Sequence, residues 1–335
     1  MFSLSRVVSR TGLAAVTAVV LLLVTGCHSL PSHGGEGTGV AVVQTNGVVR
    51  VTLNGQSFSE YRFQDVSRPF LFPILGSDGE HFTRRWPQED PGGEEKDHPH
   101  HRGLWWAHGD ANGVDFWSEL KDAGRTVHQS FAALKSGRNE GVISSRNLWV
   151  AKDGRNIASD LRTLRFYVPK GPERIVDFEI TVTASHGDLT LGDTKEGTMA
   201  IRLAESMRLA QPKGVAGAGH IVNSEGQHDG ATWGKRAKWC DYYGPVGGKT
   251  VGVAIFDHPG NPRYPTWWHV RDYGLFAANP FGVHDFEKKD KGAGNLTIPA
   301  GKSVTFRYRF IFHPGDTAAA GVDAQFEAWL KSVRP

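Results

Sequence analysis

Cysteine is scarce: 335 residues hold two, Cys27 and Cys240. Cys27 closes an N-terminal apolar segment, which leaves Cys240 as the lone thiol of the remainder. An intramolecular disulfide there is excluded, and so is a cysteine-based metal site. Cys240, next to Trp239, is expected to be a packed residue. Basic blocks and tails are absent as well. The formal charge is +3, and removing residues 1–26 takes away Arg6 and Arg10 but no acid, leaving close to +1. Nucleic acid is therefore not an expected partner. No stretch after Cys27 is long and apolar enough to span a bilayer as a helix. A 20–50-residue repeat and a βαβ rhythm are also missing, which leaves solenoids and doubly wound sheets without support.

The apolar segment itself reads as a targeting signal. Arg6 and Arg10 precede the run "LAAVTAVVLLLV", Leu13 to Val24, which ends in "LVTGC". A small residue before a cysteine in that setting resembles a bacterial lipobox and implies cleavage before Cys27 and lipidation of its sulfur. Residues 1–26 are the expected lipoprotein signal peptide. Residues 27–39, rich in glycine and serine, are the expected flexible tether. Residues 40–335 follow as a single β-sandwich domain. The expected location is the cell envelope, periplasmic or outer-membrane associated, with the lipid as the one membrane contact.

Glycine (41 residues) and tryptophan (10) are abundant, as in turn-rich β-proteins. Period-two alternation is the main signal. Val304, Phe306, Tyr308, Phe310 and Phe312 share one face of an extended chain, with Thr305, Arg307 and Arg309 on the other. Val176, Phe178, Ile180 and Val182 alternate with Asp177, Glu179, Thr181 and Thr183. "VVRVTLN", "VHQSFAALKS", "GVISSRNLWVAK", "LRTLRFYV" and "TVGVAIFD" also read as strands. Gly321 to Val333 places Val322, Phe326, Trp329, Leu330 and Val333 on one helical face, and Gly113 to Leu120 reads as a second, short helix. The fold class is all-β: a large antiparallel β-sandwich with a C-terminal helix.

Four polar-aromatic segments interrupt the strand pattern: "KDHPHHRGLWWAHGD", "GDTKEGTMAIR", "DHPGNPRYPTWWHVRDYG" and "NPFGVHDFE". Their residue types cost free energy to bury unpaired, and loops on a rigid sandwich are where sites usually lie. His98, His100 and His101 have a spacing known from zinc and copper sites. No HExxH motif or cysteine accompanies them, so neither a metal nor another cofactor is expected. Hydrogen bonding to Asp97 and Asp110 is the structural alternative. Tryptophan beside histidine, arginine and aspartate suits a sugar. An indole face takes the apolar side of a pyranose, and the polar groups take its hydroxyls. Glu196 is the expected general base, with His101 or His269 as acid. His98, His100, Arg102, Trp106, His108, Asp193, Lys195, Trp267, Arg271 and Asn279 are the expected substrate contacts.

These segments, together with "RPFLFPILG" and in this order, resemble a bacterial family of unknown function labelled methane oxygenase PmoA-like, over roughly Arg68 to Phe312. The membrane subunit of a methane monooxygenase needs several spanning helices. This chain offers none after Cys27, so methane oxidation is rejected. The all-β pattern also resembles, more distantly, the galactose-mutarotase-like supersandwich. That resemblance implies a histidine acid and a carboxylate base acting on a sugar ring, but no mutarotase motif aligns residue by residue. The expected function is acid–base chemistry on a carbohydrate, of mutarotase, epimerase, lyase or hydrolase type. A non-catalytic glycan-binding lipoprotein is the alternative. A metal-dependent enzyme built on His98, His100 and His101 is a weaker one.

Overall fold

The structure is a computed structural model that describes residues 37–214 and 217–333. The signal segment, Cys27 and the tether up to residue 36 lie outside the described residues. The chain begins with strands β1 (Val40–Thr45), β2 (Val48–Leu53), β3 (Gln56–Arg62), β4 (Phe70–Ile74) and β5 (Leu104–His108). Four long strands follow, β6 (Arg125–Lys135), β7 (Glu140–Val150), β8 (Asn156–Tyr167) and β9 (Arg174–Thr183), then the shorter β10 (Leu189–Leu191) and β11 (Gly197–Arg202). The rest comprises β12 (His220–Asn223), β13 (Trp239–Val246), β14 (Lys249–Asp257), β15 (Trp267–Val270), β16 (Leu275–Asn279), helix α1 (Val283–Glu287), β17 (Leu296–Ile298), β18 (Ser303–Pro314) and helix α2 (Val322–Val333).

Two eight-stranded antiparallel sheets carry the fold. One runs β1-β2-β3-β4-β5-β11-β16-β15 and the other β12-β13-β14-β18-β9-β8-β7-β6, with β10 and β17 as a separate pair. The alternation in β9 and β18 decides which faces meet. Phe306 lies opposite Ile180, Tyr308 opposite Phe178 and Phe310 opposite Val176, and all six are buried. On the other face Arg307 pairs with Glu179 and Arg309 with Asp177, each at 2.6 Å. Between the sheets Phe58 meets Phe166 and Phe312 edge-on, with centroids 6.0 and 5.9 Å apart. Helix α2 buries Val322, Phe326, Trp329 and Leu330 against Trp239, Phe256 and Ile311 on the outside of the second sheet, as its spacing predicts. Among the described residues no helix is long and apolar enough to cross a membrane.

Two expectations change. Residues 113–120 contain no helix. Asp115 accepts hydrogen bonds from the backbone of Trp117 and Ser118 and from Ser118 Oγ, and such side-chain bonds to nearby backbone compete with helix. The four segments expected to interrupt the strands also supply strands. The first three provide β5, β11 and β15, while the fourth holds only the last residue of β16, Asn279, and helix α1; β5, β11, β16 and β15 stand side by side in the first sheet. Their inner face is apolar: Trp106, Met199, Ile201, Trp268, Phe276 and Ala278 join the core between the sheets. On the outer face the register sets Trp105, Ala200, Ala277 and His269 in one row. Trp105, Ala107, Trp117, Ala200 and Ala277 form a separate small core there. Strands buried on both faces lose the polar alternation by which strands are recognised.

Candidate functional site

A cavity of about 620 Å³ opens on this outer face, and its wall includes His98, His100, His101, Asp115, Trp117, Lys195, Glu196, His269, Arg271 and Tyr273. Three of the four segments therefore meet at one place.

The histidine loop is pinned from below by buried arginines. Arg84 donates to the carbonyls of Trp86 and His98 at 3.1 and 3.0 Å and pairs with Asp97. Arg202, on β11, donates to Asp97 Oδ1 at 2.8 Å. Burial works against ionisation of Asp97. The contact with His98 and the two guanidinium groups outweigh it and hold the carboxyl well below its usual range. The other oxygen of Asp97 lies 3.0 Å from His98 Nδ1. The His98 ring lies parallel to those of Tyr273 and His101, with centroids 4.9 and 4.8 Å away and planes within 8°. His98 also has φ +45°, a left-handed conformation uncommon outside glycine, asparagine, aspartate and histidine. The surrounding bonds hold it there.

His101 and His269 are both buried, and both are neutral at pH 7. Burial carries His101 well below its usual value, with the neighbouring cations adding to the effect, and takes His269 to about 3. Arg202 Nη1 lies 3.3 Å from His101 Nδ1, and Trp233 Nε1 donates to His269 Nδ1 at 3.0 Å. Arginine and tryptophan only donate, so each ring accepts at Nδ1 and carries its proton on Nε2. Either can offer a hydrogen bond from Nε2. Neither holds an imidazolium proton to give away, which differs from the acid role expected of them. Burial also brings His100 to about 4.

Glu196 ends the loop between β10 and β11. Its carbonyl accepts from the backbone of Gly109 at 2.7 Å, and a Cβ on residue 109 would stand 2.8 Å from Glu196 Cβ. Only glycine lets the end of β5 approach this closely. Burial raises the Glu196 carboxyl above its ordinary value, against the pull of Lys195 and His98. Its side chain makes no hydrogen bond or ion pair among the described residues.

Several expected contacts serve the scaffold instead. Trp106 points into the inter-sheet core, 1% exposed, against Trp149 and Phe306. The Asp193 carboxylate accepts from His284 N and Gly294 N, and Asn279 Nδ2 donates to Thr194 O, so both residues shape the loop that carries Glu196. Arg102 is engaged with both oxygens of Glu119 at 2.8 and 2.7 Å. His108 is fully buried against Phe281, and burial lowers it to about 3. Trp267 donates to Glu287 and lies under Arg236. Asp115, Trp117, Ser118 and Tyr273 were not expected at the site. Tyr273 lies inside the quoted "WWHVRDYG", two residues beyond Arg271. The others hid in the stretch read as a helix. His98 and His101 stack, and His100 meets both rings edge-on. Among the described residues no group of three or more histidine, cysteine, aspartate or glutamate side chains is arranged to hold a metal ion.

Residues 48–327 match a family of unknown function, DUF6807, and the chain belongs to that family. The match carries no methane oxygenase label. No curated protein matches the chain. Among solved structures it is similar to a GalM/aldose epimerase homologue from C. elegans, at 7% identity and TM-score 0.31, over 83% of this chain and 99% of that one. It is also similar to a 4-alpha-glucanotransferase from Thermococcus litoralis, at 10% identity and TM-score 0.24, over 82% of this chain and 38% of that one.

Proposed function

We propose that this chain is an envelope lipoprotein that acts on a carbohydrate in the cavity by acid–base catalysis, as a mutarotase, epimerase, lyase or hydrolase. One observation carries the reading. The same wall presents a desolvated carboxylate with no hydrogen bond or ion pair among the described residues, Glu196, and an imidazole set against an ionised carboxylate, His98 with Asp97. Pairs of titratable groups in different environments are how acid and base roles divide. Glu196 is the base: burial raises its proton affinity toward the working pH, where a general base is most effective. His98 is the proton donor, oriented by Asp97 as a carboxylate orients a catalytic histidine. His269 and His101 supply neutral hydrogen bonds from Nε2. Glu196 takes one proton from the sugar, and His98 returns one to the departing or ring oxygen. Trp117, Leu120 and Tyr273 give the cavity an apolar side for a pyranose.

The test is a glycan panel read by calorimetry for binding and by proton NMR for anomeric and ring changes. Binding with turnover of at least one sugar supports the reading. Binding with no chemical change favours a glycan-binding lipoprotein, and silence across the panel removes carbohydrate altogether. The envelope location rests on "LVTGC" and has its own test. Cys27→Ser should move the protein from the membrane to the soluble fraction, and unchanged fractionation, with no lipid on the parent, would contradict it.

A further inference from the structure

Around the cavity most cations have a carboxylate in contact. Arg84 and Arg202 share Asp97, while Arg68 and Arg102 share Glu119. Lys195 and Arg271 differ. Both line the cavity, both are near enough to His269 to act on it electrostatically, and neither side chain makes an ion pair or hydrogen bond among the described residues. Arg271 is braced by the Tyr273 ring, 5.4 Å from its guanidinium carbon. Neither carboxylate on the same wall, Asp115 or Glu196, makes an ion pair with them among the described residues. Asp115 is used by the backbone of Trp117 and Ser118 and by Ser118 Oγ. Lys195 and Arg271 thus face the cavity with no carboxylate in contact among the described residues, in a concave site where charge is less screened than on an open surface.

We infer that the ligand is an acidic sugar whose singly charged group, a uronate carboxylate or a sulfate ester, is bound by Lys195 and Arg271. This rests on the carbohydrate reading and narrows its substrate class. A neutral hexose would leave the two cations without an anion in contact. A planar guanidinium matches a carboxylate or sulfate with two parallel hydrogen bonds, and the lysine adds a point charge beside it.

The experiment uses matched probes: an oligogalacturonate against its methyl ester, and a sulfated galactan oligosaccharide against its desulfated form, titrated calorimetrically at low and high salt. We expect one acidic member to bind at least about tenfold more tightly than its neutral partner, with the difference shrinking as salt rises. Lys195→Met and Arg271→Gln should each weaken acidic binding by about ten- to a hundredfold, the usual worth of a charged hydrogen bond. Binding of the neutral member should stay as it was, and Lys195→Arg should recover part of the loss. Unfolding midpoints matching the parent would show that the variants fold. Which pair discriminates tells carboxylate from sulfate. Equal binding within both pairs, or variants that hold the acidic probe like the parent, overturns the inference while leaving the carbohydrate reading intact. No binding by any of the four overturns the inference, and silence across the wider panel removes the carbohydrate reading as well.

Discussion

Gly109 donates its backbone N–H to the carbonyl of Glu196 at 2.7 Å, and nothing larger than hydrogen fits between their α-carbons' substituents, since a Cβ at 109 would meet Glu196 Cβ at 2.8 Å and its carbonyl oxygen at 2.9 Å. The end of β5 therefore sets the height of the Glu196 loop. Gly109→Ala should displace that loop and lower turnover by about a hundredfold, the usual effect of moving a catalytic group by an ångström. Overpacking should cost about 1–3 kcal/mol of stability. Gly230→Ala, where a Cβ meets nothing within 4 Å, is the control. Equal rates for the two variants would separate Gly109 from the positioning of Glu196.

Trp106 is a second place where position predicts consequence. Its ring fills the space between the sheets against Trp149 and Phe306. Trp106→Ala should cost about 3–5 kcal/mol of stability, the range for large aromatic truncations in a core. Trp106→Phe should cost less and leave ligand affinity unchanged. Urea unfolding with calorimetry checks both. A Trp106→Phe variant that folds but loses its ligand would return this ring to the binding surface.

The sandwich was legible because strands half-exposed on one face, such as β9 and β18, keep period two. The site's own strands were not. β5, β11, β15 and β16 are covered on both faces, so Trp105 and Trp106 look alike in sequence although one faces the cavity side and the other the core. Glu196, Lys195, His269 and Arg271 were found from residue type alone. The division between Asp193, a loop brace, and Glu196, a cavity wall, depends on where Gly294 and His284 come to lie, some 90–100 residues later. That long-range pairing leaves no local signal. The Asp115 turn was missed because a short apolar-polar pattern does not distinguish a helix from a side-chain-capped turn.

Stability should fall in mild acid. His108 and His269 sit at about 3 in the folded chain because burial disfavours their charged forms. The unfolded chain binds these protons near pH 6.5, so stability is lost as pH drops from about 6.5 toward 3. By pH 4.5 each contributes a loss on the order of 2–3 kcal/mol. Asp257 acts in the opposite sense. Burial lifts it to about 7, so its protonation in the fold restores some stability between about pH 7 and 4. Two histidines outweigh one aspartate, and the urea midpoint should fall between pH 7 and 4.5. A midpoint that is flat or rises over that range would contradict the burial of these rings.

The role of Glu196 as the base is tested most directly by Glu196→Gln, on the sugar that the glycan panel identifies. The amide keeps the shape of the side chain but cannot accept the proton. Turnover followed by proton NMR should fall by about two to four orders of magnitude, while the fold and most of the binding affinity remain. Undiminished turnover in this variant would contradict the account at its centre.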